Sequence, residues 1–193
     1  PHMEGNFSFP VKYGYSTVGK IEAGPDEMIG KLAFCLHPHQ DVFITDKNMV
    51  ALLPEVLPPE RGILAANMET ALNILWDAMI QPGDRVAVFG AGVVGTLIAN
   101  LSHRIAGTDT VLVDTNPDRR AHAQAMGLSF AEAGTLEGEF DVLINASASG
   151  AALSEAIDRA GTEARIIEAS WYGDKSVSIP LGGAFHSKRL QLV

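Results

Sequence analysis

Three glycines occur in the run Gly90-Ala91-Gly92-Val93-Val94-Gly95, a G-x-G-x-x-G spacing that can bind the phosphates of a dinucleotide. A mostly apolar run, Arg85–Phe89, precedes this turn, and an amphipathic helix is predicted over residues 93–105. The first glycine permits a tight turn, the second lets the backbone approach a pyrophosphate, and the third lets the helix pack against the sheet. We therefore predict cofactor contacts at Gly90, Ala91, Gly92, Val93, Val94 and Gly95.

An acid at the end of the next predicted strand fits the same chemistry. Asp114 stands 19 residues after Gly95, where a carboxylate accepts hydrogen bonds from the adenosine ribose and repels a 2′-phosphate. This favours NAD over NADP. Arg119 and Arg120 keep NADP open, since a guanidinium can neutralise a 2′-phosphate; we expect both on a solvated helix face and keep Arg119 as a candidate contact. S-adenosylmethionine enzymes also pair a glycine turn with such an acid and are the competing chemistry.

The elements around the turn predict an α/β fold, a Rossmann-type doubly wound parallel sheet of about six strands with right-handed crossovers. A partial β domain is predicted over residues 4–55, before a proline-rich hinge at 54–59 and a helix over 61–80. The dinucleotide-binding domain is predicted over 56–193. The strands are predicted at 18–22, 31–36 and 41–45 in the first part, and at 85–89, 110–114, 128–131, 141–145, 164–170 and 188–193 in the second.

Composition narrows the function classes. Apolar residues make up 47% of the 193 residues and charged residues 19%, enough for a packed core. The net charge of -9 argues against nucleic-acid or anionic-membrane binding. The single cysteine, Cys35, excludes an intramolecular disulfide and a multi-cysteine zinc site. With no transmembrane run and no signal peptide recognised, the cytoplasm is the expected location.

The region from residue 62 to 127 resembles the cofactor domain of medium-chain, zinc-type alcohol dehydrogenases and quinone reductases. The resemblance is carried by Met68-Glu69-Thr70-Ala71-Leu72, by Gly83-Asp84-Arg85-Val86-Ala87-Val88, by the glycine turn and by Asp114-Thr115-Asn116-Pro117. It extends more loosely to residue 193, and Pro10 to Thr45 resembles the last part of the family's GroES-like catalytic domain. The chain therefore looks like a shortened member of that family.

The resemblance implies further cofactor contacts. Thr70 matches a threonine near the nicotinamide and is also a candidate catalytic residue. The remaining implied contacts follow the fourth and fifth strands of the parallel sheet, at the carboxyl edge where open α/β sheets bind ligands. They are Ala146, Ser147, Ser170 and Trp171.

The chain departs from the family at the zinc ligands. The family's Gly-His-Glu aligns with Gly14-Tyr15-Ser16, and the position usually held by Cys or Glu before Thr70 falls near Ala66. Catalytic zinc needs three protein ligands, so we expect no metal. Tyr15 could instead donate a phenolic proton, and His39, two residues from His37, could take part in proton transfer; packing for Tyr15 and a surface turn for His39 are the competing interpretations.

Two functions from different classes remain. The first is a zinc-independent NAD(P)-dependent oxidoreductase that moves hydride between the cofactor and a small alcohol or carbonyl. The second is a non-catalytic dinucleotide-binding module that acts through assembly. Because three short β segments cannot close a barrel, we expect a second copy or a partner chain to cover the open β edges.

Overall fold

The computed structural model describes residues 11–193, so the first residues of the predicted 4–55 domain lie outside the described part. The chain divides into two compact units, a first unit that ends at Ala66 and a second unit from Asn67 to Val193. No described helix is long and apolar enough to cross a membrane.

The first unit contains a three-stranded antiparallel sheet in the order β1 (Thr17–Lys20), β2 (Leu32–Cys35) and β3 (Val50–Leu52). A short helix, α1 (Pro59–Gly62), follows, and α2 (Ala65–Ala78) spans the boundary between the units. Among the described residues of this unit, the buried hydrophobic side chains are Ala33 and Cys35. Both line an open hollow of about 650 Å³ on the sheet. The unit therefore has almost no core of its own.

The second unit is a six-stranded parallel sheet in the order β6-β5-β4-β7-β8-β9. The order reverses between β4 and β7, which is the topological switch point where open α/β sheets bind ligands. The strands are β4 (Arg85–Phe89), β5 (Asp109–Asp114), β6 (Ser129–Glu132), β7 (Phe140–Asn145), β8 (Ala160–Glu168) and β9 (Gln191–Leu192). The helices are α3 (Val93–His103), α4 (Arg119–Ala125), α5 (Gly150–Arg159) and α6 (Ala184–Ser187).

Two hydrophobic clusters form the core of this unit. Strand β4 contributes Val86 and Val88 to one cluster and Ala87 and Phe89 to the other, because successive side chains of a strand point to opposite faces. The central strands are buried on both faces, which explains their continuous apolar runs. The predicted Rossmann-type sheet of about six strands, preceded by a β segment, is confirmed.

The strand predicted over 41–45 is wrong. Phe43 stacks instead on the ring of His37, with the centroids 3.8 Å apart, and Asp46 accepts a hydrogen bond from the backbone of Asn48 at the start of a 3-10 turn, Lys47–Met49. The edge of β2 pairs with β3 rather than with this segment. The apolar run Val42-Phe43-Ile44 is typical of a strand, but a run of residues does not identify a pairing partner.

Other element bounds also differ from the prediction. The helix expected over 61–80 is divided into α1 and α2, and it ends before Met79, whose φ of 47° is left-handed. The strand predicted over 164–170 is longer and starts earlier, because β8 already begins at Ala160 and ends at Glu168. The predicted sixth strand, 188–193, is reduced to β9 because the turn that follows α6 occupies its first residues.

Candidate functional site

The glycine turn links β4 to α3 at the switch point. Gly90 has a φ of 104°, and its N–H donates to the carbonyl of Val113 at 2.7 Å. A Cβ at Gly90 would lie 2.9 Å from the carbonyl oxygen of Ala146, and a Cβ at Gly95 would overlap the carbonyl oxygen of Gly90. These two glycines are therefore required by the packing of the turn itself.

Gly92 differs from its two neighbours. Its backbone is extended, with φ −76° and ψ −173°, and a Cβ there would meet no protein atom within 4 Å. Gly92 is the N-cap of α3 and supplies no side chain to the free N–H groups of the first helical turn. The space that a Cβ would enter is thus left open at a helix N-terminus, which is a favourable place for a phosphate.

Asp114 connects the end of β5 to this turn. Its Oδ2 accepts the N–H of Ala91 at 2.6 Å, and its Oδ1 accepts the N–H of Asn116 at 2.8 Å. The carboxylate thereby holds the glycine turn and the start of the β5–α4 loop together. Each carboxylate oxygen keeps further lone-pair capacity for a ribose hydroxyl.

The two arginines of α4 have different surroundings. Arg120 lies over the ring of Phe130 at 4.9 Å and forms a 3.0 Å ion pair with Glu132. Arg119 is exposed and lines the cleft beside Asp114. Both arginines are thus at least partly exposed to solvent, as expected, but an aromatic ring and a carboxylate on β6 fix the position of Arg120, whose side chain is 43% exposed.

A cleft of about 420 Å³ at the switch point brings six of the predicted cofactor contacts together. All of its lining belongs to the second unit. The predicted contacts that line it are Gly90, Gly92, Asp114, Arg119, Ala146 and Ser147. Ser149 and Ala152 complete its wall on the side of β7 and α5. The cleft is therefore built from the carboxyl ends of β4, β5 and β7.

The loops after β7 and β8 are joined by hydrogen bonds that the sequence analysis missed. The amide Nδ2 of Asn145, a fully buried residue, donates to Glu168 Oε2 at 2.8 Å and to the Tyr172 hydroxyl at 2.9 Å. The Asn145 Oδ1 accepts the hydroxyl of Ser147 at 2.6 Å and its N–H at 3.2 Å. Burial and the hydrogen bond to Glu168 raise the pKa of Tyr172 to about 12, so its phenol stays protonated near neutral pH.

Two of the remaining predicted contacts lie near this network. The Ser170 hydroxyl donates to the carbonyl of Asn145 at 3.0 Å and accepts the N–H of Ala148 at 2.9 Å. Ala148 has a left-handed φ of 52°. Trp171 is 84% exposed and does not line the cleft. A signal for the network was present in the sequence: a polar residue, an alanine and a serine end two neighbouring strands, as Asn145-Ala146-Ser147 and Glu168-Ala169-Ser170.

The predicted catalytic residues are distributed over both units. Tyr15, 57% exposed, and His39, also exposed, belong to the first unit, and Thr70 is exposed on α2 in the second. A Cβ at Gly14 would collide with the His39 ring. The backbone N–H of His39 donates to the backbone carbonyl of Tyr13 at 2.8 Å. Within residues 11–193, no three His, Cys, Asp or Glu side chains are grouped so that they could hold a metal ion.

Comparison with curated proteins finds alcohol and polyol dehydrogenases. The chain is 26% identical over 158 residues to (R,R)-butanediol dehydrogenase of Bacillus subtilis, covering 66% of this chain and 46% of that protein. It is 27% identical over 151 residues to D-xylulose reductase A of Aspergillus niger, covering 74% and 42%. The chain thus spans about half the length of the curated relatives it matches. No family model matches the sequence.

Solved structures give the same fold. An Escherichia coli protein described as a short chain alcohol dehydrogenase, complexed with NADH, superposes with a TM-score of 0.72 at 15% identity, over 89% of this chain and 62% of that one. A zinc-binding dehydrogenase of Sinorhizobium meliloti bound to NADP superposes with a TM-score of 0.67 at 19% identity, over 76% and 47%. The relatives and structural neighbours of this chain include zinc-type medium-chain alcohol dehydrogenases, which confirms the resemblance predicted from the sequence.

Proposed function

We propose that this chain, similar over its matched part to medium-chain alcohol dehydrogenases, binds NAD(H) in the cleft at the switch point of its parallel sheet. The observation that carries the proposal is the open space at Gly92, between the free N-terminus of α3 and the carboxylate of Asp114. Phosphates fit a helix N-terminus, and a ribose fits the acid on β5. Two structural neighbours are described as bound to NADH and to NADP, respectively, which supports the same class of ligand.

The proposed reaction is hydride transfer to or from a small alcohol or carbonyl. The nicotinamide supplies the hydride chemistry when it is bound. Residues of this chain bind and orient: the glycine turn holds the pyrophosphate, Asp114 the adenosine ribose, and Ser147 and Ser170 the wall after β7 and β8. Thr70, Tyr15 and His39 are the candidates for contact with the reacting groups. The curated relatives act, by their names, on butanediol and xylulose, which supports a small alcohol or polyol substrate.

We also propose that the described residues act without a zinc ion. The family's Gly-His-Glu stands opposite Gly14-Tyr15-Ser16, and no group of three metal-ligating side chains occurs within residues 11–193. The donor set therefore does not fit a catalytic zinc site, which needs three protein ligands. Metal analysis of the purified protein is expected to give less than one zinc per ten chains; one tightly held zinc per chain would overturn this proposal.

The cofactor proposal is tested by calorimetric titration with NAD⁺, NADH, NADP⁺ and NADPH. Gly92→Val places a side chain in the phosphate space, whereas Gly182→Val is a matched control, because Gly182 is also open but lies outside the cleft. We expect NADH to bind the wild type and the Gly182 variant and to lose at least about tenfold in affinity in the Gly92 variant. A folded wild type that binds none of the four nucleotides would refute the proposal and favour the non-catalytic module.

We further propose that the apolar side of the first unit is covered by a second copy or by another chain. Ala33 and Cys35 are its buried apolar side chains among the described residues, while Val42 and Ile44 are 74% and 97% exposed. Exposed apolar surface of this kind favours association. If a second copy covers this side, sedimentation velocity should show a dimer or larger assembly; a monomer at high micromolar concentration would refute the second copy and leave another chain as the cover.

A further inference from the structure

Glu168 accepts hydrogen bonds from three donors. They are the Asn145 Nδ2 at 2.8 Å and the Tyr172 hydroxyl at 3.0 Å, both to Oε2, and the Ser170 N–H at 2.9 Å to Oε1. None of the ion pairs within residues 11–193 includes Glu168. The carboxylate is therefore held by neutral donors at the end of β8, and an ionised carboxylate can only accept.

Glu168 is the nearest of the acceptors and donors that agree on which way the amide of Asn145 points: Nδ2 donates to Glu168 at 2.8 Å and more distantly to the carbonyl of Ser149 at 3.4 Å, and Oδ1 accepts the N–H of Ser147 at 3.2 Å. The NH₂ group must face Glu168, because an amide oxygen there would meet a carboxylate oxygen without a hydrogen between them. The Oδ1 of Asn145 then faces Ser147 as an acceptor. Asn145 is fully buried, so a reversed amide would leave polar groups unpaired and without water, which is costly.

The orientation of the Asn145 amide determines which hydrogen bonds Ser147 makes. Both the hydroxyl and the N–H of Ser147 donate to Asn145 Oδ1, at 2.6 and 3.2 Å. A hydroxyl has one hydrogen, so Ser147 has none left to donate elsewhere. Its Oγ accepts the N–H of Ser149 at 3.2 Å and retains one further lone pair. A ligand in the cleft therefore meets Ser147 as a hydrogen-bond acceptor.

The position of Ser147 identifies the ligand group. Asp114 ends β5 and Ser147 follows β7, on opposite sides of β4 and its glycine turn, and both line the same cleft. With the adenosine ribose at Asp114 and the pyrophosphate at the turn, the second ribose is directed toward Ser147. We propose that Glu168, acting through Asn145, is a positioning residue that fixes Ser147 as the acceptor for a hydroxyl of the second ribose.

This inference rests on the proposed cofactor site, and three ligands separate the two. ADP carries only the adenosine half and the diphosphate, ADP-ribose adds the second ribose, and NADH adds the nicotinamide. Glu168→Gln replaces a pure acceptor by an amide that can also donate, so the orientation of Asn145 is then held by its longer contacts, with the N–H of Ser147 at 3.2 Å and the carbonyl of Ser149 at 3.4 Å. Tyr172→Phe is the control, because it removes a donor to Glu168 and an acceptor for Asn145 Nδ2 but leaves the hydrogen bonds from Asn145 to Glu168 and from Ser147 to Asn145.

We expect Ser147→Ala and Glu168→Gln each to weaken ADP-ribose and NADH by about tenfold while ADP binding stays within about twofold. Tyr172→Phe should bind all three ligands within about threefold of the wild type. The double variant should bind ADP-ribose no more weakly than Ser147→Ala alone, because Glu168 acts through Ser147. Thermal unfolding midpoints of each variant show whether it is folded.

Several outcomes overturn the inference. Equal losses for ADP and ADP-ribose in Glu168→Gln would mean a general distortion of the cleft, and additive losses in the double variant would mean that Glu168 acts independently of Ser147. Unchanged ADP-ribose binding in either single variant would also refute it, with the cofactor proposal intact. A wild type that binds none of the three ligands would refute the cofactor proposal and the inference together.

Discussion

The two units of this chain contain sheets of opposite character. The antiparallel sheet of the first unit has one apolar face on an open hollow and two buried hydrophobic side chains among its described residues. The parallel sheet of the second unit is covered on both faces by hydrophobic clusters, and Leu143 and Ile144 at its centre are fully buried. A sheet covered on both faces can hold its loops in place; a sheet with an open apolar face must gain part of that support from elsewhere.

The consequence for function is that the cleft belongs to the covered sheet. Its wall is made of backbone turns at the ends of three central strands, and the buried amide of Asn145 lies directly behind it. Such a site can be formed before a ligand arrives. The candidate residues of the first unit, Tyr15 and His39, lie on loops outside the strands. Both side chains are exposed, that of Tyr15 to 57%.

The largest expected effect compares a leucine in each sheet. Leu143→Ala, at a fully buried position of β7, should lower the free energy of unfolding by about 2–5 kcal/mol, because it leaves a cavity in the core. Leu32→Ala in β2, where the side chain is 38% exposed, should cost less than about 1.5 kcal/mol. Urea unfolding followed by circular dichroism measures both. Equal costs would show that the first unit is as well packed as the second.

A glycine pair within the turn should give the next largest effect. Gly95→Ala forces a Cβ into the carbonyl oxygen of Gly90 and should destabilise the protein by about 1–3 kcal/mol. Gly92→Ala enters open space and should change stability by less than about 1 kcal/mol. The same urea titrations measure the two variants. A Gly95 variant as stable as the Gly92 variant would contradict the close packing of α3 against the turn.

An aspartate pair compares the two edges of the parallel sheet. Asp114→Asn at the carboxyl edge should weaken NADH binding by about tenfold, because the amide cannot accept equally well from Ala91, Asn116 and a ribose hydroxyl. Asp141→Asn at the amino edge, where Oδ2 accepts the N–H of Arg85 at 2.8 Å, should leave binding unchanged. Titrations with NADH and NADPH should also show the preference for NADH reduced in the Asp114 variant only.

The smallest effect concerns pH. The pKa of Tyr172 is raised to about 12 in the folded protein from 10.0, so the folded state retains this proton where the unfolded state has lost it. The stabilisation is complete below about pH 10 and is lost as the pH rises toward 12. Unfolding midpoints between pH 9 and 11.5 should therefore fall more steeply for the wild type than for Tyr172→Phe. Parallel curves would show that Tyr172 does not contribute.

Local patterns predicted most of the second unit correctly, while longer-range pairings were missed. The glycine spacing and the apolar runs of β4, β5 and β7 predicted these strands within one residue at each end. The extent of β9 was wrong, because α6 and a turn precede it. The strand expected over 41–45 was wrong, because β2 pairs with β3 instead, and such pairing depends on residues distant in sequence. The partnership of Asn145 with Glu168 was missed for the same reason, since the two are 23 residues apart.

Residue type and spacing were sufficient to predict the class of fold and to propose the class of ligand. A strand followed by Gly90-Ala91-Gly92 and a helix has few backbone solutions, and an acid at the end of the next strand is suited to accept hydrogen bonds from ribose hydroxyls. Tertiary structure decided what each polar side chain can do. It separated Arg119 from Arg120, directed Asp114 onto the turn, and placed Glu168 behind Asn145 and Ser147. Hydrogen-bond direction depends on which groups meet in space, and neighbouring strands bring together groups that the sequence holds apart.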